Sequence, residues 1–490
     1  MRKWINYLDR PALTPWLLAL YALASVAAVV LFRNEVSGDQ ATYVGLAEGM
    51  AHGTFSYWWN IFSPAPIDTY RTQGYPAFLL LVRLLSTNVV WVKLIQLLLQ
   101  FGVVLMTVRF LRRSQHGVAA ANAFLLLVAP QLQLLYYTQL VLPETLMVLL
   151  ITGAAFVGFL GMSRSGGWLK LGVLLAVGFW IRPVLLFLPV FVLVLDAVVV
   201  PKPERVTLLK RNAMMAICFA LLGPLPFGCW NYSVHGHFSP VPLTGSSVVS
   251  NLGIWQLELP GYGSMHYFAY SFFGREALPW TGPDQAALNY TEFQHQWQRI
   301  DSVADPARDS IDLALIPLME KDHTDLFVTR SAGYAIALDK AIGKENLGMV
   351  RAEPGYYVAS RFYTAARLWI TNVNMPMEHI VFYPHGEDRP IVGRPTGLAG
   401  WFQAWYPFLI SFFTFGLGLP FIAWTVYRRW DRWYARRWLL YPVLYIWLVH
   451  IPISIQSRYT IPVQVLALAC LALCLIEGES GKEIRAGITN

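Results

Sequence analysis

Apolar runs recur from one end of this chain to the other, and their number constrains the fold more than any other feature. They fall near residues 12–32, 91–111, 118–137, 144–161, 169–181, 183–200, 212–230, 401–427, 438–455 and 460–476. One soluble core cannot hide them all, because 56% of the residues are hydrophobic and only 13% are charged. The expectation is an all-α polytopic membrane protein with about ten transmembrane helices, set in a lipid bilayer.

Charge gives the orientation. The net charge of +8 could suit a nucleic-acid partner, but the basic residues cluster in short segments beside apolar runs, at 109–116, 201–211 and 427–437. That is the positive-inside pattern, so no nucleic acid is expected. With these segments and Arg2, Lys3 and Arg10 in the cytoplasm, the chain crosses a cell (inner) membrane an even number of times, with both termini inside. Both long polar loops then lie on the periplasmic or extracellular side. The first run is longer than a signal-peptide core and is expected to stay as an uncleaved anchor. Cys218, Cys229, Cys470 and Cys474 all fall within apolar runs, so there is no disulfide framework.

Three regions follow: a transmembrane module at 1–232 with a first outer loop at 33–74, a large outer cap at 233–400, and C-terminal transmembrane helices at 401–490. Residues 75–85 are apolar but too short to cross, so a re-entrant or interfacial helix is expected there. The run at 169–181 ends at Arg182-Pro183, where proline breaks the helix, and is expected to stop in a cavity. Tyr43 to His52 reads as an amphipathic helix lying on the membrane surface, with Tyr43, Leu46, Ala47 and Met50 on one face. Helical stretches in the cap are expected at 284–299, 309–339 and 354–370, without repeats or low-complexity tracts.

Asp39 lies about seven residues past the first apolar run, which puts a carboxylate roughly 10 Å beyond the membrane core if the chain stays helical. An acid at that depth can act on a lipid headgroup. The structural alternative is a helix cap or a loop acid. Arg71 precedes a Gly-Tyr-Pro turn near the same interface, where a guanidinium can hold two phosphate oxygens; the alternative is a snorkelling arginine. Arg182 and Arg458 sit at the ends of apolar runs, where a charge is costly unless it faces a polar cavity or water. Glu144 opens a run after Pro143, where it could serve the site or the helix dipole. His235, His237 and His266 have no Cys or second acid at ligand spacing, which argues against zinc. Trp58, Trp59, Trp401 and Trp405 read mainly as interfacial belt residues, with one or two able to stack on a sugar.

The segment Gly38-Asp39 through Gly53, followed by Tyr70-Arg71-Thr-Gln-Gly74-Tyr75-Pro76, resembles the first outer loop of C-type-fold (GT-C) glycosyltransferases that use polyprenyl-phosphate sugars. That group includes protein O-mannosyltransferases, lipid A aminoarabinose transferases and rhizobial lipopolysaccharide core transferases. The likeness continues through Leu142-Pro143-Glu144-Thr145-Leu146, Ile181-Arg182-Pro183, Trp230-Asn231-Tyr232 with Gly236, Asn251-Leu-Gly253, and Gln456-Ser-Arg458-Tyr459. It implies transfer of a sugar from an undecaprenyl- or dolichyl-phosphate carrier to a glycan, glycolipid or protein acceptor outside the membrane. Asp39 would be the catalytic base, and Arg71, Arg182 and Arg458 would bind the donor phosphate. Tyr43, Tyr75, Asn231 and Tyr459 would line the substrate site. The family often carries two adjacent acids in this loop, whereas Gln40 follows Asp39 here. Glu35, Asp68 or Glu144 would have to supply a second acid or a ligand for a divalent metal; no cofactor is otherwise implied. The competing class is a transporter or flippase of lipid-linked saccharide, which would show internal halves and mid-span acids. A structural subunit of an envelope assembly would explain the cap but not the polar cluster in the first loop.

Overall fold

The computed structural model describes residues 2–32, 38–114, 117–161, 166–243, 298–314 and 331–370 save 299, 301, 309, 311 and 353, then 406–452 save 407–408, and 457–486. Glu35, His266, Trp401, Trp405, Gln456, Asn251 to Gly253 and nearly all of the cap helix expected at 284–299 lie outside the described residues. Every regular element among the described residues is helical.

The N-terminal module runs through α1 (Arg2–Leu8), α2 (Leu13–Phe32), α3 (Gly38–Ala51), α4 (Gly74–Arg83), α5 (Val89–Leu111) and α6 (Gly117–Val128). It continues with α7 (Leu132–Thr138), α8 (Glu144–Gly161), α9 (Gly167–Ile181), α10 (Leu188–Val199), α11 (Lys202–Leu222) and α12 (Pro224–His235). The cap contributes α13 (Ala332–Ala352) and α14 (Pro354–Arg367), and the C-terminal part α15 (Gly418–Arg428), α16 (Trp430–Tyr434), α17 (Arg437–His450) and α18 (Ile461–Ala486).

Local chemistry sets several of these boundaries. Asn88 caps α5 by accepting the N–H of Val90 at 2.9 Å, satisfying one of the first-turn donors that a helix leaves open. Pro183 opens a short 3-10 turn between α9 and α10, as a residue lacking an N–H can at a helix start. Gly236 ends α12 at φ +72°, a conformation that a side chain would resist.

The helices bury small and aliphatic residues inward and leave apolar stripes outside, the reverse of a water-soluble bundle. Trp16, Leu20, Leu23, Val26 and Val30 line one exposed face of α2; Leu169, Val173 and Val177 do the same on α9, and Val190, Val194 and Val198 on α10. Their spacing of three or four residues is one face of a helix, and its exposure fits lipid contact. The central element is α18, whose apolar stretch is 89% buried and packs against α6, α8, α15 and α17. Ala467, Ala469, Cys470 and Ala472 lie in that stretch, and small residues let neighbouring helices come close.

Five helical stretches are long and apolar enough to cross a membrane, or six if α6 and α7 form one broken span. Among the described residues, helix falls within each of the ten expected runs, but a total of ten crossings requires counting α8, α9, α10 and α17 as well, which are shorter. The run at 118–137 is not one helix: α6 and α7 meet at 70°. The expected span at 212–230 starts earlier, at Lys202, and is interrupted at Gly223-Pro224. The outer-loop helix also starts earlier than its apolar pattern suggested, at Gly38, which brings Asp39 into its first turn. Its apolar face does not lie open on a surface: Tyr43, Leu46 and Ala47 are buried, α3 packs on α4, and Arg83 pairs with Glu48 at 2.6 Å.

The described part of the cap has its own small core of Ile300, Ala304, Tyr334, Leu338, Ala341 and Ile342. It is tied to the bundle where the Thr460 hydroxyl donates to the Leu368 carbonyl at 2.7 Å and the Trp447 indole to the Ala365 carbonyl at 2.9 Å.

If the cap and the basic segment around α16 lie on opposite sides of the membrane, a membrane-impermeant thiol reagent applied to intact cells will label Ser310→Cys and leave Arg432→Cys unlabelled. A Cys229→Ser background removes the exposed native thiol. The reverse labelling pattern contradicts the orientation.

Candidate active site

The end of the bundle where α2, α9 and α17 finish and α8 and α18 begin gathers charge from four separate parts of the chain. The first part is a turn. The Asp68 carboxylate accepts the backbone N–H groups of Tyr70 at 2.8 Å and Arg71 at 2.6 Å, an Asx-type arrangement that folds 68–71 back on itself. The Thr72 hydroxyl then donates to the Ile181 carbonyl at 3.2 Å. Gly74 lies so close to α9 that a Cβ there would meet the Trp180 carbonyl oxygen at 2.4 Å. This docking fixes Arg71, whose guanidinium lies over the rings of Tyr70 (4.1 Å) and Tyr43 (5.2 Å).

Asp39, from the first turn of α3, is held between two arginines. Arg71 Nη2 reaches one carboxylate oxygen at 2.5 Å, and Arg458 Nη1 reaches the other at 3.2 Å. Arg458 comes from the short turn Ser457–Thr460 that leads into α18. The three side chains keep 15–21% of their surface exposed, so the cluster is reachable from outside. Beside it, Arg182 pairs with Glu144 at 3.2 Å, joining the end of α9 to the start of α8. Tyr459 connects the two pairs: Arg182 lies 5.2 Å and Arg458 5.4 Å from its ring centre. His450 stacks on that same ring at 4.8 Å.

Burial pushes the Asp39 carboxyl upward, but the guanidiniums of Arg71, Arg458 and Arg182 pull it the other way, and the net position is below the usual carboxylate range. Asp39 is therefore ionised at neutral pH. Burial raises Tyr43 to about 12, so its hydroxyl stays neutral. Burial works against the charge on Arg71, but Asp39 together with Tyr43, Tyr70 and Asp68 outweighs it, and the net shift is upward. Within the cluster, buried Arg71 Nε and Glu144 Oε2 find no hydrogen-bond partner among the described residues. Each is a polar group that a substrate or water at the site could answer.

Of the residues expected from sequence, the structure brings Asp39, Arg71, Arg182, Arg458, Glu144, Tyr43 and Tyr459 into one cluster. Tyr75 packs edge-on against Tyr43 at 4.9 Å and donates its hydroxyl to Gln96 at 2.8 Å, so it supports the site from behind. Asp68 serves the backbone turn, and Asn231 donates to the carbonyls of Ser239 (2.7 Å) and Val241 (3.0 Å), holding the segment after α12. Sequence reasoning missed Tyr70, His450 and Gln96. Tyr70 adjoins Arg71 and was readable as its cation–π partner. His450 closes an apolar helix, and nothing in its spacing announces contact with Tyr459.

Among the described residues no group of three or more His, Cys, Asp or Glu could hold a metal ion, and both oxygens of Asp39 face guanidiniums; Glu35, the other acid of this loop, lies outside them.

No family model and no curated protein matches the sequence. Among solved structures, the chain is similar to the archaeal oligosaccharyltransferase AglB of Archaeoglobus fulgidus, in complex with an inhibitory peptide and a dolichol-phosphate. Identity is 14% and the TM-score 0.42, over 97% of this chain and 52% of that one, so this chain spans about half its length. It is also similar to ArnT of Cupriavidus metallidurans bound to undecaprenyl phosphate, at 16% identity and TM-score 0.40 over 96% of this chain and 80% of that one. The apo form of that ArnT gives 17% and 0.35 over 95% and 78%. Overlaps of this size carry no inference about activity.

Because Asp39 sits below the usual carboxylate range, its ion pairs contribute stability that is complete above its unfolded value, about 4, and is lost as pH falls through its lower folded value. The melting temperature of Arg71→Gln should thus fall below wild type by a margin that is constant from pH 8 to 5 and shrinks only in stronger acid. A margin that closes between pH 7 and 5 would contradict the pairing.

Proposed function

We propose that the chain is an integral membrane glycosyltransferase that moves a sugar from a polyprenyl-phosphate carrier to an acceptor hydroxyl on the outer face of the membrane. The observation that carries the reading is the cluster at the end of an apolar bundle: two guanidiniums bracketing one ionised carboxylate, a third beside them, and a buried Arg71 N–H without a partner. Sugar transfer from a lipid phosphate needs those parts, with the lipid tail free to lie along the apolar outer surface.

In the reaction, the acceptor oxygen attacks the anomeric carbon as the bond from that carbon to the phosphate oxygen breaks. The phosphate leaves with the bonding pair, and its growing charge is met by Arg71 and Arg458, with Arg182 next to them. The acceptor's proton passes to Asp39. Tyr459 and Tyr43 keep the guanidiniums in place, and a neutral Tyr43 hydroxyl is free to hydrogen-bond substrate. A phosphate arriving between the arginines draws them away from Asp39, which then becomes more basic, so donor binding itself would prepare the base. The acceptor's identity would be set by the cap, and a glycan, glycolipid or protein hydroxyl all satisfy the chemistry.

Purified protein in detergent, where no gradient exists, should transfer sugar from the lipid-linked donor; a transporter would not. Arg71→Ala should lower turnover by about two to three orders of magnitude, the scale of losing one contact to a developing anion. Arg71→Lys should restore only part, since an ammonium lacks the planar fork. Near-normal turnover in Arg71→Ala would move the phosphate elsewhere and remove the main support for the reading.

A further inference from the structure

A second polar centre lies at the other end of the bundle, about 20 Å from the first along α8 and α17 at about 1.5 Å per residue. Its anchor is Asp196, fully buried near the end of α10. Asp196 accepts from Arg437 Nε at 2.8 Å, from the Tyr441 hydroxyl at 2.5 Å and from Asn212 Nδ2 at 2.6 Å. A buried charge is tolerated only with such compensation, and here the compensation is complete. Arg437 is therefore spent electrostatically, although its side chain still lines a neighbouring cavity of 440 Å³.

That cavity lies between the end of α8, the start of α11 and the α16–α17 corner. Beyond Arg437, the charged groups lining it are Glu204 and Arg211, one of each sign, with the Tyr434 hydroxyl donating to Glu204 at 3.0 Å. Phe159 and Trp438 supply apolar wall. Leu160 and Val206, next to lining residues in sequence, are exposed apolar side chains and offer a path for an acyl chain along the outer surface. The volume falls within the range of small-molecule sites. An anion alone would meet Glu204, and a cation alone would meet Arg211.

We propose that this cavity binds the zwitterionic headgroup of an aminophospholipid of the inner leaflet, with the phosphate toward Arg211 and the ammonium at Glu204. With Arg437 matched by Asp196, the lining charges that remain are one of each sign, Glu204 and Arg211, so the cavity wall itself matches a headgroup that carries both signs, and Glu204 opposes a purely anionic one. It lies apart from the Asp39 cluster and does not depend on the sugar-transfer reading.

Native mass spectrometry of the full chain in detergent, titrated with phosphatidylethanolamine, phosphatidylglycerol or soluble phosphoethanolamine, tests the idea. Phosphatidylethanolamine adducts should reach half-occupancy at a several-fold lower concentration than phosphatidylglycerol adducts, with soluble phosphoethanolamine weaker than both because it lacks tails. Glu204→Gln should abolish the preference for the ethanolamine lipid, whereas Tyr434→Phe, which removes the bond to Glu204 but no charge, should keep it. Equal or better binding of phosphatidylglycerol by wild type, an unchanged preference in Glu204→Gln, or tight binding of soluble phosphoethanolamine would each overturn the proposal. Loss of folding in Glu204→Gln would show as altered melting, and the wild-type lipid ranking then decides alone.

Discussion

Asp39 between Arg71 and Arg458 is the contact on which this end of the bundle depends. A largely buried carboxylate is costly unless cations answer it, and the two that do come from opposite ends of the chain. Arg71 is aimed by the Asp68 turn and by the close approach at Gly74, and Arg458 by the turn that opens the most buried helix. For both to reach one carboxylate, the first outer loop must dock on α9 and α18 must seat in the bundle. The charge cluster is thus a check on the whole architecture as well as a candidate site.

The same contact limits the chemistry. An acid held below its usual range is always ionised but is a weak base, and a resting site in which both oxygens are engaged cannot readily take a proton. On the proposed reading, the donor's phosphate resolves this by competing for the arginines. The arrangement then favours an order in which lipid donor binds before the acceptor is deprotonated. Tyr459 matters here because its ring lies against both Arg182 and Arg458, and His450 stacks on that ring and holds it in place.

Much of this was legible in the sequence, for physical reasons that can be named. Long apolar runs report helices directly, and among the described residues each such run contains one. The arginines at run ends were legible because a charge beside lipid needs a reason to be there. The start of α3 was not, since Gly38-Asp39-Gln40 carries no apolar period; its place in the helix goes with Asp39's pairing to two arginines distant in sequence. The bend between α6 and α7 did leave a signal, Pro130 followed by the polar Gln131 and Gln133, inside a run read as one span. Asp68 and Asn231 showed their polarity but not their direction: each turns to backbone groups, a choice set by local turn geometry rather than composition. Of the partners of Asp196, Asn212 is 16 residues away on α11, but Arg437 and Tyr441 come from α17, more than 240 residues on, so composition could not announce the group.

The central claim is that the Asp39 charge takes the acceptor's proton. Asp39→Asn keeps the size and the capacity to accept hydrogen bonds but loses the negative charge, and Asn serves a helix first turn about as well as Asp. The decisive measurement is donor-lipid binding together with single-turnover sugar transfer by that variant. The account predicts that donor still binds while transfer falls to near background. Full transfer by Asp39→Asn would contradict it and leave the carboxylate as a structural clasp for two arginines.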